Sequence, residues 1–186
     1  YARQGDQAQN NGSILFKCAL GSQGADMETI AFLQQQPLFG GVTDTAMRAI
    51  MPLFREFDFS PGSVIVREGD DGDTLFVICR GSVEVLKSDV RAEDVLGNRI
   101  AVLRKGDVFG EMEVIDMQAR SASIRALEPV NALSLSNGDL LKIYQTDMPT
   151  FTLIVLNLAR ELSRRLRRLD EFAGHYMQRP EMVGDH

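Results

Sequence analysis

The sequence predicts a mainly β domain flanked by helices, and three observations lead to this prediction. Between residues 54 and 136, short runs rich in β-branched and aromatic residues alternate with glycine-marked turns, as in an antiparallel sandwich or barrel. On both sides of this region, apolar residues recur at helical spacing. The chain has 186 residues, of which 44% are hydrophobic and 25% charged, so one globular domain can bury a core without disulfides.

The N-terminal part of the chain divides into two predicted segments. Residues 1–25 are rich in Gln, Asn, Gly and Ser, which predicts a linker or a poorly ordered arm. Residues 26–53 are predicted to hold the N-terminal helices. Asp26 can cap the first helix, and Thr43 or Asp44 can cap the second.

Residues 54–136 are predicted to form a compact β-roll. The runs alternate between apolar and polar residues, or are continuously apolar, as half-buried and buried strands should be. One segment, GEMEVIDMQA, is a poor strand and is predicted to form a single helical turn between two strands. The predicted strands are FREFDF, SVIVRE, TLFVICR, SVEVLKS, RIAVLRK, ASIRAL and VNALSLS.

Residues 137–174 are predicted to be helical again, and residues 175–186 to be a polar tail. Asp147 can cap a helix that has Pro149 in its first turn. Apolar residues then recur at steps of three or four, over a length sufficient to pack against a partner helix. We therefore expect a homodimer formed through Leu158, Leu162, Leu166 and Leu169.

Several function classes are disfavoured by composition. A net charge of −6 argues against a surface built to bind nucleic acid. Cys18 and Cys79 form no metal motif or disulfide framework, and no span or targeting segment is visible, so a reducing cytoplasm is expected. His175 and His186 both lie near the end of the chain, where neither serves the core as a base or metal ligand. The sequence thus predicts a non-enzymatic protein without a cofactor.

The segment DVFGEMEVIDMQARSAS, residues 107–123, has the residue types that a ribose phosphate needs. Gly110 permits close approach of the backbone to a ligand, and a short helix after it presents free N–H groups. Arg120 offers a forked donor for phosphate oxygens, and the Ser121 hydroxyl can add a hydrogen bond. Glu111 cannot bind phosphate, but its carboxylate can accept hydrogen bonds from a sugar hydroxyl.

FGEMEVIDMQARSAS resembles the phosphate-binding cassette of the cyclic nucleotide-binding domain family. The run FSPGSVIVREGDDGDTLFVICRGSVEV is similar to the opening strands of that family, and the resemblance covers roughly residues 30 to 170. It implies an eight-stranded β-roll with flanking helices that binds cAMP or cGMP. The Arg-Ser pair most resembles the bacterial catabolite activator branch, whose helix-turn-helix domain has no counterpart before residue 186.

The resemblance also implies roles for individual residues of the cassette, residues 109–121. Glu111 would hold the ribose 2′-hydroxyl, Arg120 the cyclic phosphate, and Ser121 the phosphate or the base. In the same family the C-terminal helix closes over the base. The implied ligand-binding residues are Phe109, Gly110, Glu111, Met112, Glu113, Arg120, Ser121 and Ala122, with Arg168, Leu169 and Asp170 as weaker candidates for base or lid contacts.

Glu113 departs from the family pattern, which usually places Ala or Gly at this position. A carboxylate directed at the phosphate would repel it by about 4 kcal/mol at 4 Å and an effective dielectric of 20. A carboxylate directed at solvent would only be a favourable acid in the first turn of a helix. The orientation of Glu113 therefore separates a competent binding site from a lost one.

Three functional hypotheses follow. The first is a regulatory domain that binds a cyclic nucleotide, cAMP more than cGMP, and moves its C-terminal helix about a hinge near residues 139–144. The second is a degenerate β-roll that has lost nucleotide binding through Glu113 and serves as an interaction or dimerisation scaffold. The third is a fragment of a larger channel, kinase or transcription factor.

Overall fold

In a computed structural model, the backbone is described for residues 23–89 and 94–177, and the side chains for 27–89 and 94–171. Two antiparallel sheets of four strands share an apolar layer, helices precede and follow them, and a long helix ends the described chain. The predicted fold class, an eight-stranded β-roll with N-terminal helices and a long C-terminal helix, is confirmed.

Each of the seven predicted strand runs overlaps one strand, and six of the runs contain their strand completely. The eighth strand, β6, was missed because two residues are too few to produce a periodic pattern. One sheet has the order β1-β8-β3-β6 and the other β2-β7-β4-β5. The strands are β1 Arg55–Phe59, β2 Val64–Val66, β3 Thr74–Arg80, β4 Ser82–Lys87, β5 Asn98–Arg104, β6 Val108–Phe109, β7 Ser123–Ala126 and β8 Val130–Ser136.

Two expected helix caps are observed and one is not. The Thr43 side chain accepts a hydrogen bond from the Ala46 N–H at 3.3 Å, and Asp147 accepts one from the Thr150 N–H at 3.1 Å. The first helix begins three residues before Asp26, so the expected boundary between arm and helix falls inside it. The helices are α1 Gln23–Gln34, α2 Asp44–Ile50, α3 Glu111–Asp116, α4 Asn137–Thr146 and α5 Met148–Met177, with 3-10 turns at Pro37–Phe39 and Met51–Leu53.

The sheet that contains β3 is buried on both faces, which explains the continuous apolar run in that strand. Leu75 and Val77 join an apolar cluster with residues of the flanking helices, whereas Phe76 and Ile78 join the cluster between the two sheets. Successive side chains of a strand point to opposite faces, so one strand serves both clusters.

The first half of α5 is anchored to the domain core. Ile154 and Leu158 are almost fully buried, and the Asn157 side chain donates hydrogen bonds to the carbonyls of Leu38 and Gly40 at 3.1 and 2.9 Å. Because these contacts fix the direction of α5, they also fix where its second half meets the cassette.

The predicted dimer interface needs one correction. Leu158 is only 1% exposed and packs inside its own subunit, so it is not available to a partner helix. Leu162 is half-buried, while Leu166 and Leu169 are 59% and 66% exposed. The helical period grouped Leu158 with the exposed leucines because it cannot show where the domain core ends along the helix.

Some predictions fall outside the described residues: most of the predicted arm at 1–25, Cys18, and most of the predicted tail at 175–186. Within the described ranges, no helix combines the length and the apolar character that crossing a membrane requires.

Candidate functional site

The cassette is held against β3 by an aromatic contact and a left-handed glycine. Phe109 is buried and stacks on Phe76, with ring centroids 5.0 Å apart. Gly110 follows with φ of 75°, a conformation that turns the chain from β6 directly into α3. Phe109 thus lies in the core between the sheets, and the residues after it carry the polar groups.

Arg120 is enclosed by backbone, and only 7% of it is exposed. Its guanidinium donates to the Thr74 carbonyl at 2.9 Å and lies 3.5 Å from the Gly110 carbonyl oxygen. A Cβ at Gly72 or at Gly110 would clash with this guanidinium. Two glycines therefore make the space in which Arg120 is buried.

Glu113 points inward and is 3% exposed. Its Oε2 lies 3.2 Å from Arg120 Nη1, and its Oε1 accepts the Ser121 backbone N–H at 2.9 Å. Burial alone would raise the pKa of Glu113, but the Ser121 hydrogen bond and the Arg120 charge hold this pKa below its ordinary value. Arg120, which was predicted to bind phosphate, is thus paired with the ionised carboxylate of Glu113.

Glu111 is buried as well, and its partner comes from α5. Arg165 Nη1 donates to Glu111 Oε1 at 2.5 Å, and Arg165 Nη2 donates to the Val108 carbonyl at 2.6 Å. Burial raises the pKa of Glu111, and the Arg165 charge partly offsets this effect. The residue predicted to hold a ribose hydroxyl is therefore bound to the C-terminal helix.

The structure brings Glu111, Glu113 and Arg120 together but leaves other predicted residues at the edge of this group. Met112 is 44% exposed, and its sulfur lies 3.8 Å from the Ser121 hydroxyl. Ala122 is half-buried at the start of the next strand. The weaker candidates Arg168, Leu169 and Asp170 are exposed on α5, beyond the turn that touches the cassette.

Three site residues were not predicted from the sequence: Arg165, Gly72 and Thr74. Arg165 is one of five arginines between residues 160 and 168, and their spacing does not show which of them faces the cassette. Arg165 is distinguished only by its position on α5, and only the packing of that helix shows that this position faces Glu111. Gly72 was predicted to be part of a turn, and Thr74 contributes through its backbone carbonyl, which no side-chain pattern indicates.

Two surface depressions, of about 710 and 440 Å³, lie away from the cassette. The first is lined by residues that include Arg80, Arg104 and Lys105, and the second by residues that include Glu56 and Cys79. The cassette differs from both, because its charged groups are covered: Glu111 and Glu113 are each only 3% exposed. Access of a ligand to these groups therefore requires movement of the residues that cover them.

Residues 56–147 match the family model for the cyclic nucleotide-binding domain. The chain belongs to this family. It is 32% identical over 136 residues to a CRP-like cAMP-activated global transcriptional regulator of Mycobacterium tuberculosis, an alignment that covers 73% of this chain and 58% of the relative. The chain thus spans less than two thirds of the length of that regulator.

Solved structures agree with the fold. A cyclic nucleotide-binding domain from Methylobacillus flagellatus superposes with a TM-score of 0.73, covering 92% of each chain at 24% identity. A Trypanosoma cruzi structure, the regulatory subunit of a cAMP-independent protein kinase A bound to guanosine, has a TM-score of 0.58 at 25% identity. That alignment covers 72% of this chain and 46% of the other. Family membership thus rests on both sequence and fold.

Proposed function

We propose that this chain is a regulatory domain whose cassette binds the ribose of a nucleotide and transmits the binding to α5. The family ligand is a 3′,5′-cyclic nucleotide, and we expect cAMP to be favoured over cGMP. The relative from M. tuberculosis is named as cAMP-activated, and the T. cruzi neighbour holds guanosine. A purine ribonucleoside moiety is common to these ligands.

The observation that carries the proposal is the contact between Arg165 and Glu111. Arg165 lies on α5, 54 residues along the chain from Glu111, and bonds to both its carboxylate and the Val108 carbonyl. A ribose hydroxyl that donates to Glu111 Oε1 would compete with Arg165 for this oxygen atom. Ligand binding therefore shifts α5 between two arrangements, which is the property a regulatory domain needs.

The C-terminal half of α5 is the part of the helix that we expect to move when a ligand binds. Its first half is anchored through Asn157 and Ile154, whereas Leu166 and Leu169 are exposed. Loss of the Arg165 contact would free only the second half, because the anchors lie on the turns before it. We therefore expect the part of α5 that moves to lie between Leu158 and the end of the helix. The predicted hinge at residues 139–144 is a second element to test.

The test is calorimetric titration with cAMP and cGMP, combined with hydrogen exchange of α5. We expect saturable binding that is lost in Arg120→Ala, with faster exchange after residue 161 when ligand is bound. An Arg167→Ala variant is the control, because Arg167 is exposed on the same helix. Binding without any change in α5 would contradict the coupling, and absence of binding would contradict the ligand.

A second candidate function is the scaffold, and the Glu113–Arg120 pair is the observation that favours it. If this pair does not open, the β-roll acts through its surface instead, and the exposed stripe of α5 is the part that a partner helix could cover. The occupant we propose is a second copy of the chain, packed through Leu162, Leu166 and Leu169.

Sedimentation of a Leu162→Glu, Leu166→Glu variant tests the dimer. We expect the mass to fall from that of a dimer to that of a monomer. Ser163→Glu with Arg167→Glu is the control, since both positions are exposed on the neighbouring face of α5. An unchanged mass in the leucine variant would refute this interface.

A further inference from the structure

The charged groups of the cassette are balanced before any ligand arrives. Two carboxylates, Glu111 and Glu113, face two guanidinium groups, Arg165 and Arg120, in pairs 2.5 and 3.2 Å apart. Glu161 adds a further negative charge 3.5 Å from Arg165. Among the residues that the structure describes, these pairs leave neither guanidinium of the cassette unpaired for a phosphate, and an additional buried anion would lack a counter-ion there.

Glu113 is also held in place by groups that do not depend on Arg120. Its Oε1 accepts the Ser121 backbone N–H at 2.9 Å, and this N–H belongs to the cassette itself. Arg120 is held in turn by the Thr74 carbonyl. A cyclic phosphate would therefore have to separate a fixed carboxylate from a fixed guanidinium, and would then lie beside the carboxylate it had displaced.

An uncharged ribose has no such conflict. A carboxylate has about four lone-pair directions, and Glu113 uses two of them, for Arg120 and Ser121. The others can accept hydroxyl donors. A nucleoside without phosphate has two neighbouring hydroxyls, at 2′ and 3′, whereas a 3′,5′-cyclic nucleotide has lost the 3′ donor to the ester. Glu111 and Glu113 are both buried in the cassette, and we assign the 2′-hydroxyl to Glu111 and the 3′-hydroxyl to Glu113.

We propose that Glu113 makes this cassette selective for an uncharged ribonucleoside with free 2′- and 3′-hydroxyls over a 3′,5′-cyclic nucleotide. The inference rests on the proposed function in one respect, that the cassette is a ligand site. In this arrangement Arg120 orients Glu113, and Glu113 receives the 3′-hydroxyl where other members of the family place Ala or Gly.

The experiment is titration calorimetry of the wild-type chain with guanosine, adenosine, cAMP and cGMP, and with 2′,3′-dideoxyadenosine. We expect at least one nucleoside to bind about tenfold more tightly than its cyclic nucleotide, and the dideoxy analogue to lose at least about tenfold. In Glu113→Ala, the order should reverse, with the cyclic nucleotide gaining about a hundredfold. Glu84→Ala, which removes a buried glutamate outside the cassette, should leave the order unchanged.

The outcomes separate this inference from the function on which it rests. A wild-type chain that prefers the cyclic nucleotide, with less than a threefold change in Glu113→Ala, overturns the selectivity and leaves the sensor standing. Binding of cyclic nucleotide to Glu113→Ala, with no binding of any nucleoside or cyclic nucleotide to the wild type, overturns the selectivity and supports the scaffold. Absence of all binding in both proteins overturns the site itself. Glu113→Gln, measured in parallel after a thermal melt, shows that any loss is not a failure to fold.

Discussion

Two clusters of side chains contain the same numbers of acidic and basic groups but have different surroundings. The first is the cassette cluster of Glu111, Glu113, Arg120 and Arg165. The second, which we term the sheet cluster, consists of Glu84, Asp94, Arg99 and Arg125. Each contains two carboxylates and two guanidinium groups, in contacts of 2.5 to 3.7 Å.

The sheet cluster is built on neighbouring strands. Glu84 on β4 lies directly opposite Arg125 on β7, so backbone hydrogen bonds fix the distance between the two side chains. The Arg125 side chain is 27% exposed and that of Arg99 59%, so water shares their solvation. In the cassette cluster, Arg120 is buried against backbone, and Arg165 extends from helix α5. We therefore expect similar ion pairs to be structural where strands fix them and responsive where a helix supplies one partner.

Removal of the central arginine should give the largest difference between the clusters. Arg120→Ala leaves Glu113 buried without its counter-ion, and we expect a loss of about 3 kcal/mol in the free energy of unfolding. Arg125→Ala should lose about 1 kcal/mol, because Arg99 and water remain near Glu84. Urea unfolding of both variants measures these losses, and equal values would contradict the distinction.

The enclosure of Arg120 can be tested from the glycine side. Gly72→Ala places a Cβ against the guanidinium, and we expect a loss of about 2 kcal/mol from overpacking. Gly138→Ala is the control, because its Cβ has ordinary contacts within α4 and should be neutral or stabilising by up to about 1 kcal/mol. The effect of Gly72→Ala should largely vanish in an Arg120→Ala background, where the clashing group is absent.

The responsive part of the cassette cluster is tested by Arg165→Gln. This change keeps a polar side chain but removes the charge that holds α5 to Glu111 and Val108. Hydrogen exchange in α5 after residue 161 should rise about tenfold, equivalent to about 1.4 kcal/mol of local stability. Exchange in β4 should not change, whereas an equal rise in both elements would indicate a general loss of stability.

The smallest effect concerns pH. The pKa of Glu113 is lowered in the folded chain, so its pair adds stability that is present above about pH 4.5 and is lost as the pH falls through the folded pKa. The stability difference between wild type and Glu113→Gln should therefore shrink, by less than about 1 kcal/mol, between pH 7 and pH 3.

Glu111 provides the opposite slope as an internal comparison. Its pKa is raised, so the wild type should gain stability relative to Glu111→Gln as the pH falls from neutral towards about 4.5. Thermal melts at several pH values follow both differences. Slopes of the same sign for the two variants would contradict the assignment of their environments.

Local patterns in the sequence determined much of the fold. The strand β3 coincides with the run TLFVICR, because a strand buried on both faces is apolar over most of its length, and β8 coincides with the run VNALSLS. Thr43 and Asp147 cap helices as predicted, since capping depends on residues within one turn. Glu111 and Arg120 were identified as cassette residues from their chemistry and from the resemblance of FGEMEVIDMQARSAS to the family's cassette.

Only the tertiary structure decided what these residues contact. The sequence left two orientations open for Glu113, and the packing of α3 on β3 selected the inward one. The packing of α5 likewise brought Arg165 to the carboxylate of Glu111, 54 residues away along the chain. It also buried Leu158, which the helical period had assigned to the dimer interface. Spacing along the chain specifies which side chains share a face, but the direction of α5, fixed by Asn157 and the core, specifies what that face meets.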